Sequence, residues 1–166
     1  MRCLMVGAAV AGALHLVGPA FAGPGAKGHT HAAFNAGEPG DPKKPFRTIE
    51  IVSREHDGRM SFTPDRISVR RGEQIRFVIR NEGALPHELM LDSFEANKKH
   101  AVAMQKNPEM EHDDPNGKRT EPKQVSELLW RFNKAGTFEY ACLIPGHYEA
   151  GMKGVVTVNG VKSARK

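Results

Sequence analysis

Cysteine is scarce in this chain. Its 166 residues contain only Cys3 and Cys142. Cys3 falls in an N-terminal stretch that reads as a removable leader, so the mature chain has a single thiol and no intramolecular disulfide. A disulfide-stapled scaffold is therefore excluded, and a solitary thiol in an oxidising compartment needs burial or ligation. Aromatic residues are few, with one Trp and two Tyr. The formal charge of +5 is spread along the sequence, with no basic stripe interleaved with aromatics. That pattern excludes a nucleic-acid partner. Long apolar runs are missing too: the stretch from Leu4 to Val17 is short and rich in Gly and Ala, which makes a poor membrane span.

Met1-Arg2, that apolar stretch, and Pro19-Ala20-Phe21-Ala22 form a positive head, an apolar middle and a small-x-small end. Together they describe a secretory signal peptide over residues 1–22, cut between Ala22 and Gly23. The expected destination is the periplasm, without stable membrane insertion after cleavage. Residues 23–45 are rich in Gly, Pro and Ala and lack periodicity, so they read as a flexible arm. Residues 46–160 alternate short β-rich runs with turn formers, which fits one domain with its own core. Residues 161–166 end the chain as a small basic tail.

Within that domain the strand signals are Phe46–Val52, Met60–Thr63, Ile67–Val69, Ile75–Ile79, His87–Leu91, Val125–Phe132, Thr137–Cys142 and Gly154–Val158. Ser93 is an N-cap for a short helix over Phe94–Lys106, stopped by Asn107-Pro108. A long polar loop then covers Glu109–Lys123. The expected architecture is an all-β sandwich with one short helix and a long loop insertion.

The chemistry concentrates in Cys142-Leu143-Ile144-Pro145-Gly146-His147-Tyr148-Glu149-Ala150-Gly151-Met152. A thiol, an imidazole and a thioether follow one another with four residues in each gap, between two strands. A second imidazole, His87, opens a strand far upstream. Two His and one Cys around a metal, with a weak Met on the axis, form the ligand set of an electron-transfer copper site. A binuclear copper site needs two bridging thiolates, and only Cys142 is present. Structural zinc wants four strong donors, which Met152 is not.

With these residues in view, the chain resembles the cupredoxins, the small blue-copper proteins. Its Cys-x4-His-x4-Met loop is most similar to the rusticyanin and auracyanin versions. The stretches His87-Glu88-Leu89-Met90-Leu91, Glu109–Pro115 and Ile144–Met152 are similar to periplasmic CopI-like copper-tolerance cupredoxins. The resemblance implies a Greek-key β-sandwich of the cupredoxin type over residues 46–160 and one type 1 copper ion held by His87, Cys142, His147 and Met152. It also implies that His147 lies near the surface beneath an apolar patch including Pro145 and Leu85, where an electron would leave.

Two roles fit this reading. One is a periplasmic carrier or copper-tolerance protein that cycles Cu(I)/Cu(II) and meets a redox partner or copper-handling proteins as a monomer. The other is a copper-sequestering or delivery protein with a second Cu(I) site drawn from Met90, Met104, Met110 and His112. Against that second site, Met is also a common core filler. An enzyme with Cys142 as nucleophile and His147 as base is not expected, because no orienting carboxylate or oxyanion feature stands out.

Overall fold

A computed structural model describes residues 34–107 and 114–160. Ten strands and one helix follow in order: β1 (Glu38–Pro39), β2 (Arg47–His56), β3 (Arg59–Thr63), β4 (Arg66–Arg70), β5 (Gln74–Asn81), β6 (His87–Asp92), α1 (Phe94–Lys106), β7 (Gly117–Thr120), β8 (Val125–Arg131), β9 (Gly136–Ala141) and β10 (Lys153–Asn159). They form two five-stranded sheets, ordered β1-β8-β5-β2-β3 and β4-β10-β9-β6-β7. The β2–β5 and β4–β10 pairings are parallel and the others antiparallel. The all-β Greek-key sandwich expected from the sequence is present.

Period-two alternation builds the core. Ile67 and Val69 of β4, Leu128 and Trp130 of β8, and Val156 and Val158 of β10 are buried while their neighbours face outward. These side chains meet Ile51, Phe62, Ile75, Phe77, Ile79, Leu89, Leu91, Phe138 and Tyr140 in one cluster drawn from both sheets. The β2–β3 hairpin turns on Asp57 and Gly58, both at positive φ (48° and 74°), as a two-residue turn between twisted strands demands. Helix α1 begins where Ser93 Oγ accepts from the Ala96 amide. Asn97 pins it to β9 through the Glu139 carboxylate at 3.1 Å.

Two expectations need correction. Within residues 23–45, expected as a flexible arm, the chain from Phe34 onward belongs to the sandwich. Ala36 is fully buried and Phe34 meets Trp130 edge-on, with ring centroids 5.3 Å apart. Strand β1 pairs Glu38 with Arg131 on the edge of β8, and the two side chains form an ion pair at 3.0 Å. Gly37, at φ 145°, passes so close to the Arg131 carbonyl that a Cβ has no room. Composition hid this strand because its two paired residues are Glu and Pro. The polar stretch Glu109–Lys123 likewise contains β7, which pairs with β6 and aligns Thr120 with His87. Residues 1–33, 108–113 and 161–166, and with them the leader, the arm before Phe34, Met110, His112 and the basic tail, lie outside the described residues.

Candidate metal centre

His87 opens β6 after the turn formed by residues 82–86. Asn81 organises that turn from its buried position. Its Oδ1 accepts from the Gly83 amide at 2.8 Å, and its Nδ2 donates to the carbonyls of Leu85 (2.7 Å) and Thr120 (3.0 Å). Glu55, from β2 in the other sheet, closes the turn: its carboxylate accepts from the amides of Ala84 (2.7 Å) and Leu85 (3.1 Å). The same carboxylate lies 2.5 Å from His87 Nε2. Burial pushes the Glu55 pKa upward, but the two amide bonds and His87 outweigh it and hold the group below its ordinary value. An ionised carboxylate at Nε2 accepts a hydrogen bond from Nε2–H, the tautomer of a neutral ring in which Nδ1 carries no proton.

Cys142 follows the last residue of β9. The loop to Met152 folds on itself: the amides of His147, Ala150 and Gly151 donate to the carbonyls of Ile144, Gly146 and Tyr148 at 3.0, 3.1 and 3.0 Å. Gly146 (φ 89°) and Gly151 (φ 107°) occupy the positive-φ positions this tight path requires. Met152 is fully buried, its amide donates to the His147 carbonyl, and its carbonyl accepts from the Cys142 amide. From the opposite sheet the Met60 amide donates to the Ala150 carbonyl at 2.9 Å. Tyr148 in the loop donates to Glu139 of β9 at 2.9 Å.

These two segments bring three donor atoms together. His87 Nδ1 lies 3.2 Å from His147 Nδ1, which lies 3.4 Å from Cys142 Sγ. All three residues are buried, and one ligand atom from each lies within 4.8 Å of the others. Burial pushes the Cys142 thiol up to about 12, against the pull of the Glu88 and Ile144 amides. His147 is held below its ordinary pKa by burial and then by His87. The His147 imidazole is thereby kept ready to ligate, whereas the thiol must lose its proton to solvent to bind a cation. The donor set therefore fits copper: one soft sulfur and two imidazole nitrogens converge in a buried site where a cation would relieve their crowded lone pairs.

Of the other expected residues, Met90 and Met104 pack with Ala141 and Leu143 in a second apolar cluster that Ala101 and Tyr148 border. The Met90 thioether lies over Gly117, where a Cβ would collide with it. Two acids escaped sequence reasoning. Glu88 is buried; its Oε1 accepts from the Leu143 amide at 3.0 Å, and its own amide donates to Cys142 Sγ at 3.4 Å. An acid within an otherwise apolar strand beside His87 was the available signal. Glu55 offered none, because only the pairing of distant strands brings it to the site.

A model of copper-binding proteins of the plastocyanin/azurin family matches residues 49–159. The chain belongs to this family. This cupredoxin is 44% identical over 159 residues to the copper-resistant cuproprotein CopI of Rubrivivax gelatinosus, with 95% of this chain and 92% of the relative covered. It is 36% identical over 151 residues to the CopI of Pseudomonas aeruginosa, with 74% and 81% covered. Among solved structures, auracyanin B matches with a TM-score of 0.60 at 23% identity, over 77% of this chain and 99% of that one. That last likeness speaks for the cupredoxin fold alone. Copper is the cofactor. No helix among the described residues is long and apolar enough to cross a membrane.

Proposed function

We propose that His87, Cys142 and His147, with Met152 as the weakest donor, would hold one type 1 copper ion, and that the protein would cycle Cu(I)/Cu(II) in periplasmic copper tolerance. The convergence of two Nδ1 atoms and one Sγ in a buried site carries this reading. The names of the CopI relatives favour copper tolerance over a purely respiratory role. Bound copper supplies a one-electron couple, and the chain supplies its setting. The Glu88 amide donates to the sulfur and favours the thiolate, a bond of the kind that tunes a metal's potential. The loop's internal hydrogen bonds hold the donors in place. His147 is 9% exposed, and Leu85 and Pro145, each two residues before a ligand, are exposed; this is the face for electron exchange with a redox partner or copper-handling protein.

The alternative is copper sequestration or delivery through a second, Met/His-based Cu(I) site. The pairing of Met90 and Met104 in one buried cluster is the observation in its favour, and it would need Met110 or His112 to complete a ligand set. Copper titration separates the two readings: one equivalent for the type 1 site alone, two with a second site.

Visible and electron paramagnetic resonance spectra of the copper-loaded protein test the centre. Cys142→Ala abolishes the intense thiolate-to-copper absorption, while Met152→Leu keeps it and changes the reduction potential. Retained colour in Cys142→Ala refutes the assignment. For physiology, a deletion strain sensitive to copper supports tolerance, and a respiratory defect without copper stress supports an electron carrier. A periplasmic form beginning at Gly23 verifies the leader.

A further inference from the structure

The hydrogen bond from His87 leads away from the copper ligands to a side chain of the opposite sheet. We propose that Glu55 is a positioning residue of this centre: its carboxylate fixes the His87 ring with Nδ1 toward the ion and favours Cu(II), lowering the reduction potential. The inference rests on the copper reading of His87 given above.

Three observations on separate groups support it. Glu55 Oε1 is 2.5 Å from His87 Nε2, and His87 is only 1% exposed, so the ring's second nitrogen is committed to this partner. The carboxylate itself is held by two backbone amides, Ala84 to Oε2 and Leu85 to Oε1. It also lies directly over Gly83, where a Cβ would collide with both carboxylate oxygens. The turn that delivers His87 is thus shaped around the acid. A long, flexible side chain is fixed at one end by β2 and at the other by three consecutive residues of the ligand-bearing turn.

The chemistry follows from that geometry. A carboxylate accepting a hydrogen bond from Nε2–H favours the tautomer in which Nδ1 offers its lone pair to the ion. It also draws that proton toward itself, which makes Nδ1 a stronger donor. One fixed negative charge close to the metal would stabilise the more highly charged oxidation state. Orientation and charge are separable, because a glutamine keeps an acceptor for Nε2–H but carries no charge.

Glu55→Gln, Glu55→Ala and Gly83→Ala, each checked for folding by denaturant unfolding, test the proposal. Loss of such an outer-shell partner weakens metal binding by about 10–100-fold, so Glu55→Ala is expected to lose Cu(II) affinity by that factor and Cu(I) affinity by less. Every tenfold difference between the two losses raises the potential by about 59 mV. Glu55→Gln raises the potential with a smaller loss of affinity. Gly83→Ala, which keeps the charge but displaces the carboxylate, weakens Cu(II) binding. Heteronuclear NMR of the copper-free protein supplies a readout independent of copper: His87 is the Nε2–H tautomer in the parent and in Glu55→Gln, and loses that fixed state in Glu55→Ala. A folded Glu55→Ala protein with unchanged potential and an unchanged His87 tautomer overturns the proposal and leaves the copper reading intact. A parent protein without thiolate-to-copper absorption overturns the copper reading, and the potential shift falls with it.

Discussion

Glu88 is the side chain that ties the first ligand strand to the ligand loop, so its removal has a calculable cost. It is 6% exposed, and its Oε1 accepts from the Leu143 amide, which is itself buried. In Glu88→Ala that amide loses its acceptor without gaining water, at a cost of about 1–3 kcal/mol. The lost stem adds about 0.8 kcal/mol for each buried methylene. Together these give about 3 kcal/mol, a fall in melting temperature of roughly 10 °C for a domain of this size. Glu88→Gln keeps an acceptor at the same position and is expected to cost about 1 kcal/mol or less. The two variants also separate charge from hydrogen bonding. The Glu88 charge is one of the influences that raise the Cys142 pKa, so both substitutions lower it from about 12, as thiolate absorbance in the copper-free protein will read. Thermal unfolding of copper-free parent, Gln and Ala proteins supplies the stability ranking. Equal stability of the two variants refutes the reasoning, because it means that the Leu143 bond contributes nothing.

Three further outcomes are expected. Copper-free stability falls on both sides of neutrality. The depressed His147 pKa contributes stability that is present above its ordinary value of 6.5 and lost as pH drops below it. The raised Cys142 pKa contributes stability that is present below 9.0 and lost as pH climbs toward about 12; melting temperature against pH, with Cys142→Ala losing part of the alkaline fall, checks both signs. Phe34→Ala removes the ring that meets Trp130 edge-on, costs about 2–3 kcal/mol since Phe34 is only partly buried, and shifts the Trp emission to the red; an unchanged spectrum contradicts the docking of residues 34–40. Gly154→Ala forces a methyl into the Tyr140 phenol, whose hydroxyl donates to the Pro64 carbonyl; a loss of about 1–3 kcal/mol in denaturant unfolding is expected.

The legible parts of this chain were those whose signal is local. Ser93 and Asn107 bound α1 because caps act through neighbouring amides, and those two residues are the observed caps. The alternation of Ile67 with Val69 and of Val156 with Val158 marked strands because each buries one face. The spacing of Cys142 and His147 pointed to one loop, and that loop does bring the two side chains together beside His87. What stayed hidden depends on tertiary pairing. Strand β1 holds only Glu38 and Pro39, and β7 reads Gly-Lys-Arg-Thr; both lie on sheet edges, where backbone pairing needs no apolar alternation. Glu55 meets His87 only because β2 and β5 pair in parallel and bring the end of β2 beside the turn before β6.

That dependence on tertiary pairing also decides how firmly the His87, Cys142 and His147 cluster is held. Each donor is held by bonds that do not involve the metal. The His87 ring is fixed by Glu55, the Cys142 sulfur receives the Glu88 amide, and the His147 backbone is closed by Ile144 and Met152. The anchors come from both sheets, because Glu55 and Met60 belong to one, and Glu88 and Glu139 to the other. Rearranging one ligand therefore means breaking a hydrogen bond in a buried region, at a cost of about 1–3 kcal/mol for each group left unpaired. Several such bonds together oppose the change in coordination geometry that free copper undergoes when its charge changes.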